Sequence, residues 1–91
     1  MTSFFAEFVH TDSGVACSER GFTDLSTAEE CSGSVDYAKS FKSNANYRYS
    51  FSDNRTLKGC FIDTYGRIYF NTHSTGGRCS SCTNICRKGN A

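Results

Sequence analysis

The sequence predicts a small disulfide-rich α+β domain, with one helix packed on an antiparallel β-sheet. Six cysteines occur in 91 residues, an even number that suits three disulfides. One segment repeats its apolar residues with a helical period, and several short aromatic-rich segments are bounded by turn residues. The length allows one domain and excludes a large α/β enzyme. No apolar run approaches the roughly 18 residues that a membrane span requires.

The core must be built mainly from aromatic rings. Leu, Ile and Val together number only eight, whereas Phe and Tyr number 13. A domain of this size buries a limited share of its surface, so disulfides worth about 2–4 kcal/mol each are expected to stabilise it. Disulfides persist in oxidising compartments, and we therefore expect a secreted, extracellular protein.

The helix is predicted from about Thr27 to Lys39. Ser26 and Glu29 form a capping-box pattern, in which Ser26 accepts the Glu29 backbone N–H. Apolar residues then recur at helical spacing on one face, at Ala28, Cys31, Val35 and Ala38.

The strands are predicted from alternation and from turn residues. Residues 4–10 form a β-rich segment that ends at a turn cluster, and we expect a strand at a sheet edge or on a partner. Residues 47–52 alternate, which places three rings on one face of a half-buried strand: Tyr47, Tyr49 and Phe51. Residues 59–63 and 67–71 form a hairpin, with Gly66 at the left-handed position of its turn.

All six cysteines are predicted to form disulfides: Cys17, Cys31, Cys60, Cys79, Cys82 and Cys86. Six cysteines allow 15 pairings. We favour Cys31 with Cys60, because a link from helix to hairpin spans the core. Cys17 then pairs within the group at 79–86.

No catalytic, cofactor-binding or metal site is predicted. The C-x-x-C pair at 79–82 lacks the thioredoxin-type βαβ context that redox catalysis uses. A zinc set of His73 with the last three cysteines would leave an odd number of cysteines behind. Glu29 and Glu30 are adjacent and point apart, and neither His10 nor His73 has an evident nucleophile nearby.

The N-terminal segment suggests self-association. We divide the chain into a β-arm at residues 1–13 and a cysteine-rich α+β domain at 14–91. The arm carries three phenylalanines within five positions, Phe4, Phe5 and Phe8, and such apolar patches mark interfaces. The arm covers its own sheet or adds a strand to a neighbouring copy, and repeated strand donation that does not close builds a filament.

The charge distribution argues against nucleic acid as a partner, and two surface motifs suggest carbohydrate. Residues 1–45 have a net charge of −4 and residues 46–91 of +5, but the basic residues are scattered, so we do not expect nucleic-acid binding. Asn54-Arg55-Thr56 is an N-glycosylation sequon in a predicted turn. A glycan could stack on a platform of rings at Tyr47, Tyr49, Phe51, Tyr65, Tyr69 and Phe70.

The spacing of the cysteine motifs resembles a small cysteine-rich domain that recurs in predicted secreted and surface proteins of algae and other protists. The matching motifs cover most of the chain, at Gly14–Cys17, Leu25–Cys31, Lys58–Cys60, Gly66–Asn71 and Cys82–Cys86. The sequence departs from that pattern at Leu57 and Lys58, where a proline is common, and in the close spacing of Cys79 and Cys82. The resemblance implies an extracellular location and disulfides, without an activity.

Two functions follow as expectations. The first is a non-enzymatic extracellular structural subunit that self-associates as a homo-oligomer or filament through the segment 4–9. The alternative is a monomeric glycan-binding or adhesion module that uses exposed tyrosines. A toxin-like or antimicrobial role is disfavoured by the net charge of +1.

Overall fold

The computed structural model describes residues 8–88 and confirms a small α+β domain with a mostly antiparallel sheet. Within this range the six strands are β1 (Phe8–His10), β2 (Thr23–Asp24), β3 (Asn46–Phe51), β4 (Gly59–Ile62), β5 (Arg67–Asn71) and β6 (Thr83–Arg87). The helices are α1 (Ala28–Gly33), α2 (Val35–Ala38) and a 3-10 turn at Cys17–Arg20. The strand order is β1-β6-β4-β5-β3, and β2 also pairs with β6. Among these described strands, β3 and β5 are the one pair that runs in parallel.

The β4–β5 hairpin agrees with the prediction. Gly66 has a φ of +85°, in the left-handed region that favours glycine. Its N–H donates to the Asp63 carbonyl at 3.2 Å, and the Asp63 side chain accepts the N–H groups of Tyr65 and Arg67 at 2.9 Å each. Asp63 therefore connects the end of β4 to the start of β5 through hydrogen bonds across the turn.

The predicted single helix is instead two short helices that meet at Ser34. The buried Ser34 hydroxyl donates to the Cys31 carbonyl at 2.6 Å, and the Ser34 N–H bonds the same carbonyl at 3.1 Å. These local bonds compete with the regular helical ladder and tighten the chain at that point. The helix also begins one residue later than predicted, since Thr27 accepts the Glu30 N–H. The predicted apolar face does contact the core.

The prediction that Tyr47, Tyr49 and Phe51 share one face is wrong. The β3–β5 register shifts between Tyr47, which pairs with Ile68, and Tyr49, which pairs with Tyr69. An extra residue in a strand reverses the alternation beyond it. Tyr47 consequently packs against the helix-covered core, whereas Phe51 packs on the other face of the sheet.

The disulfides are Cys17–Cys86, Cys31–Cys60 and Cys79–Cys82. The link between α1 and β4 is the pairing that the sequence favours, and Cys17 pairs within the C-terminal group as expected. Three disulfides in a domain this small indicate an oxidising environment.

The sheet has two unequal faces. The face under α1 and α2, which we call the covered face, holds the main core, including Leu25, Cys31, Cys60, Ile62, Ile68, Phe70 and Ile85. The opposite side, which we call the open face, carries a smaller cluster of Leu57, Phe61 and Cys82, with Phe51, Tyr69 and Cys79 packed against it. Neither helix contributes to that second cluster, so its outer surface remains accessible.

Strand β1 brings the described part of the N-terminal segment into the domain's own sheet. Phe8, Val9 and His10 pair with β6, and the Phe8 ring packs against the core of the covered face. Phe4 and Phe5 lie outside the described residues. β1 and β3 form the two outer edges of the sheet.

Candidate functional site

A groove with a volume of about 470 Å³ runs over the open face. Its floor consists of four rings from three neighbouring strands, Tyr49 and Phe51 of β3, Phe61 of β4 and Tyr69 of β5. Strand pairing sets these rings side by side, since Tyr69 lies opposite both Tyr49 and Phe61. The groove therefore depends on the bulge in β3 that turns Tyr49 and Phe51 toward this side.

The floor rings pack at their edges and leave surface free. Tyr49 meets Tyr69 with ring centroids 5.2 Å apart and an interplanar angle of 71°. Phe51 meets Phe61 at 6.0 Å and Tyr69 at 5.7 Å, again edge to face. Such contacts are favoured by the ring quadrupoles and fix the ring orientations. Tyr49 nevertheless remains 57% exposed.

Charged and polar groups lie at the two ends of the floor. At one end are Asp53 and Thr56, which follow β3, and at the other are Asp63 and Arg67, which flank the hairpin turn. Arg67 Nε donates to Asp63 Oδ2 at 2.8 Å, and this bond raises the pKa of Arg67. The groove thus combines an apolar floor with hydrogen-bonding groups at each of its two ends.

At the Asp53 end of the groove, hydrogen bonds from Arg55 fix the aspartate side chain. Arg55 donates to the Asp53 carboxylate through its side chain and its backbone N–H, the latter at 2.7 Å. Hydrogen bonds from Arg55 lower the pKa of Asp53 below its ordinary value. The carboxylate is therefore ionised over the physiological range and able to accept further hydrogen bonds.

One side of the groove is walled by the Cys79–Cys82 disulfide. Cys82 is buried against Leu57 and Phe61 and anchors the loop that precedes β6. The Cys82 N–H also donates to the Cys79 carbonyl at 3.1 Å. The wall is consequently a short covalently closed turn.

A second, more polar depression of about 620 Å³ lies beside β2. Asp24 and Lys58 form an ion pair there at 3.7 Å, and burial raises the pKa of Asp24 despite the lowering effect of Lys58. His73 lines the same depression, but its Nδ1 accepts the Gly76 N–H at 2.9 Å and so organises its own loop. We assign structural roles to these groups.

The residues predicted for specific roles are dispersed. Asn54 lies in an exposed turn beside the groove, between the lining residues Asp53 and Thr56. Phe8 lies on the covered face, away from the groove rings. Among residues 8–88, no group of three or more His, Cys, Asp or Glu side chains is arranged to hold a metal ion. In the same range, no helix is long and apolar enough to cross a membrane.

Three rings of the predicted glycan platform, Tyr49, Phe51 and Tyr69, line the groove. Tyr47 and Phe70 instead pack in the core of the covered face, and Tyr65 does not line the groove.

The groove as a unit was therefore not predicted from the sequence. The signal that could have revealed its centre is the alternation in β5, where Tyr69 lies between Ile68 and Phe70 and must face the opposite side of the sheet. Its ends, Asp53, Asp63 and Arg67, are assembled by strand pairing and carry no local motif.

Comparisons with protein-family models, with curated proteins and with solved structures found no match, so no family is identified for this chain.

Proposed function

We propose that this protein is a non-enzymatic extracellular module that binds carbohydrate in the aromatic groove of the open face. The observation that carries the proposal is the row of neighbouring rings, Tyr49, Phe51 and Tyr69, on the face that the helices leave uncovered. A domain with so few aliphatic residues depends on buried aromatic rings for its stability. Tyr49 is nevertheless mostly exposed, so its ring contributes little to the core.

The chemistry of the groove suits a sugar ring. A pyranose presents C–H groups on its faces, which pack on aromatic rings, and hydroxyl groups at its edge. Carboxylates accept hydroxyl hydrogens, whereas a guanidinium donates to hydroxyl oxygens, so Asp53, Asp63 and Arg67 supply both roles around the floor. Apolar floors with a few directed polar groups are typical of ligand sites.

The floor favours sugars with equatorial substituents. Such sugars, including β-linked glucose and N-acetylglucosamine, expose flat apolar faces, and their oligomers are extended ribbons. Asp53 and Asp63 lie at opposite ends of the groove along the strand direction, which suits a ribbon of linked rings. We therefore propose β-linked gluco-configured glycans as the ligand class.

The proposal is tested by titrating the oxidised, unglycosylated protein with cellotetraose and chitotetraose, using NMR shifts of the groove residues. We expect saturable shifts confined to β3, β4 and β5. Tyr49→Ala is expected to weaken binding by about tenfold, because one lost stacking contact of about 1.4 kcal/mol corresponds to that factor.

Phe41→Ala is the matched control. Phe41 is a partly exposed ring that stacks on His10 and does not line the groove. The Phe41→Ala substitution should leave the affinity for both oligosaccharides unchanged. The proposal fails if neither oligosaccharide binds, or if both substitutions weaken binding equally.

Self-association is the second candidate, favoured by the edge position of β1. Among the described strands β1 pairs with β6 alone, so its outer side is available for a strand from another copy. We propose that Phe4 and Phe5 contribute to such a contact. Light scattering of the full chain should give a mass above 10.0 kDa that falls to a monomer when residues 1–5 are deleted. A deletion variant as large as the parent would exclude the contact.

A further inference from the structure

The turn that contains Asn54 is held by one buried side chain. Asn71 is 1% exposed, and its Nδ2 donates to the Asp53 carbonyl at 2.7 Å and to Thr56 Oγ1 at 2.9 Å. Its Oδ1 accepts the N–H of Asp53 at 3.0 Å and that of His73 at 3.1 Å. A buried amide that satisfies backbone groups on both sides of a turn fixes the turn's conformation.

The loop that contains Gly76 and Gly77 packs closely against the backbone of the same turn. A Cβ on Gly77 would come within 2.0 Å of the Asn54 carbonyl oxygen, and a Cβ on Gly76 within 2.6 Å of the Lys58 nitrogen. The Gly77 N–H donates to the Thr56 carbonyl at 2.7 Å. Only glycine permits so close a backbone approach. Asn54 is thus presented as an exposed residue on a rigid turn.

The sequon lies at one end of the aromatic groove. Asp53, directly before Asn54, and Thr56, two residues after it, line the groove, and Phe51, three residues earlier, forms part of its floor. A sugar attached to Asn54 therefore begins on the turn that leads out of the groove floor, three residues beyond the Phe51 ring. The N-acetylglucosamine that begins an N-linked glycan has the same flat C–H face that packs well on such a ring.

We propose that Asn54 is an N-glycosylation site whose first N-acetylglucosamine packs on Phe51 at the Asp53 end of the groove. Glycosylation forms a bond between the Asn54 side-chain nitrogen and the anomeric carbon of the sugar. The lipid-linked oligosaccharide of the secretory pathway supplies the glycan, and its lipid diphosphate leaves with the proton from the amide. The packing stabilises the fold and narrows that end of the groove.

The test begins with the full chain secreted from a eukaryotic cell line behind a cleavable signal sequence. Mass spectrometry should show one N-linked glycan that is absent from Asn54→Gln. The melting temperature of the glycoprotein should exceed that of Asn54→Gln by about 4 °C, the shift expected for one aromatic contact in a domain of this size.

Enzymatic trimming locates the effect. An endoglycosidase that leaves only the first N-acetylglucosamine should preserve the higher melting temperature, whereas Asn54→Gln, which carries no sugar, should lack it. In Phe51→Leu, which retains the sequon, the glycan should still attach. The trimmed Phe51→Leu protein should nevertheless melt at the same temperature as Phe51→Leu that also carries Asn54→Gln. An unmodified Asn54, or an equal difference in Phe51→Leu, would overturn the proposal.

These readouts do not depend on the binding of free carbohydrate. The titrations above use unglycosylated protein, so failure of that function leaves the mass and melting measurements informative. Failure of the glycosylation proposal likewise leaves the titrations unaffected.

Discussion

The covered and open faces of the sheet are built from the same strands but are closed in different ways. On the covered face, α1 and α2 bury Cys31, Cys60 and Ile68 completely. On the open face, the loop closed by the Cys79–Cys82 disulfide covers part of the ring cluster and leaves Tyr49 largely exposed. The difference separates stability from the proposed binding, since one side holds the fold together and the other presents aromatic surface.

The first comparison removes one disulfide from each face, and the larger loss is expected for the disulfide that fastens the covered face. Removing Cys31–Cys60 with paired Ala substitutions should lower the free energy of unfolding by about 3.5 kcal/mol, because the link closes a loop of 29 residues. Removing Cys79–Cys82 should cost less than about 2 kcal/mol, since it closes only three residues. Urea unfolding of both double variants measures the contrast.

The order of the two losses is the decisive outcome. An equal or larger loss for the Cys79–Cys82 variant would show that the wall of the groove, and not the helix-to-sheet link, carries the stability of the domain. The remaining disulfides of each variant are checked by mass spectrometry after thiol blocking.

The next comparison replaces one side chain on each face. Ile68→Ala should destabilise the protein by about 2–4 kcal/mol, because Ile68 is 0% exposed and its removal leaves a cavity under the helices. Tyr49→Ala should cost less than about 1 kcal/mol, since most of that ring is already in water. Chemical denaturation at constant pH distinguishes them. Similar losses would mean that the open face is part of the structural core.

A smaller effect is expected in the helix that closes the covered face. Gly33 is the last residue of α1, and a Cβ built there meets nothing within 4 Å. Gly33→Ala should therefore stabilise the protein by about 0.5–1 kcal/mol through the lower entropy of the unfolded chain. The matched control is Gly66→Ala, where the left-handed φ and the Asn44 side chain oppose a Cβ and thermal stability should fall.

Local patterns predicted the covered face more fully than the open one. The helical spacing of Ala28, Cys31, Val35 and Ala38 identified residues that contact the core, and the Gly66 turn located the hairpin. The break at Ser34 was missed because its cause is a side-chain bond to the Cys31 carbonyl, which competes with a helical pattern that otherwise continues.

The groove escaped prediction because it depends on register. Alternation in β3 placed Tyr47 with Tyr49, and a single shift in pairing with β5 separates them. Nothing in residues 47–52 marks that shift, since it is set by the partner strand. The polar ends, Asp53 and Asp63, come together with the rings only after β3 and β4 have both paired around β5.

The smallest effect is expected where β1 joins the covered face. His10 stacks on Phe41 at 3.8 Å, and its Nδ1 lies 2.7 Å from the Tyr37 hydroxyl. Burial lowers the pKa of His10 below 6.5, although Asp12 acts in the opposite direction.

Because the folded-state pKa is the lower one, the contribution of His10 is complete above pH 6.5 and is lost as the pH falls through the depressed value. The protection factors of the β1 amides, which correct for the slower intrinsic exchange at lower pH, should therefore fall between pH 7 and 5 by more than those of β5. Asp53, whose pKa Arg55 lowers, stays ionised over this range, so the groove end should not change. In His10→Asn this extra loss of protection should vanish. If the β1 protection factors fall equally in acid with either side chain, the pH sensitivity arises elsewhere.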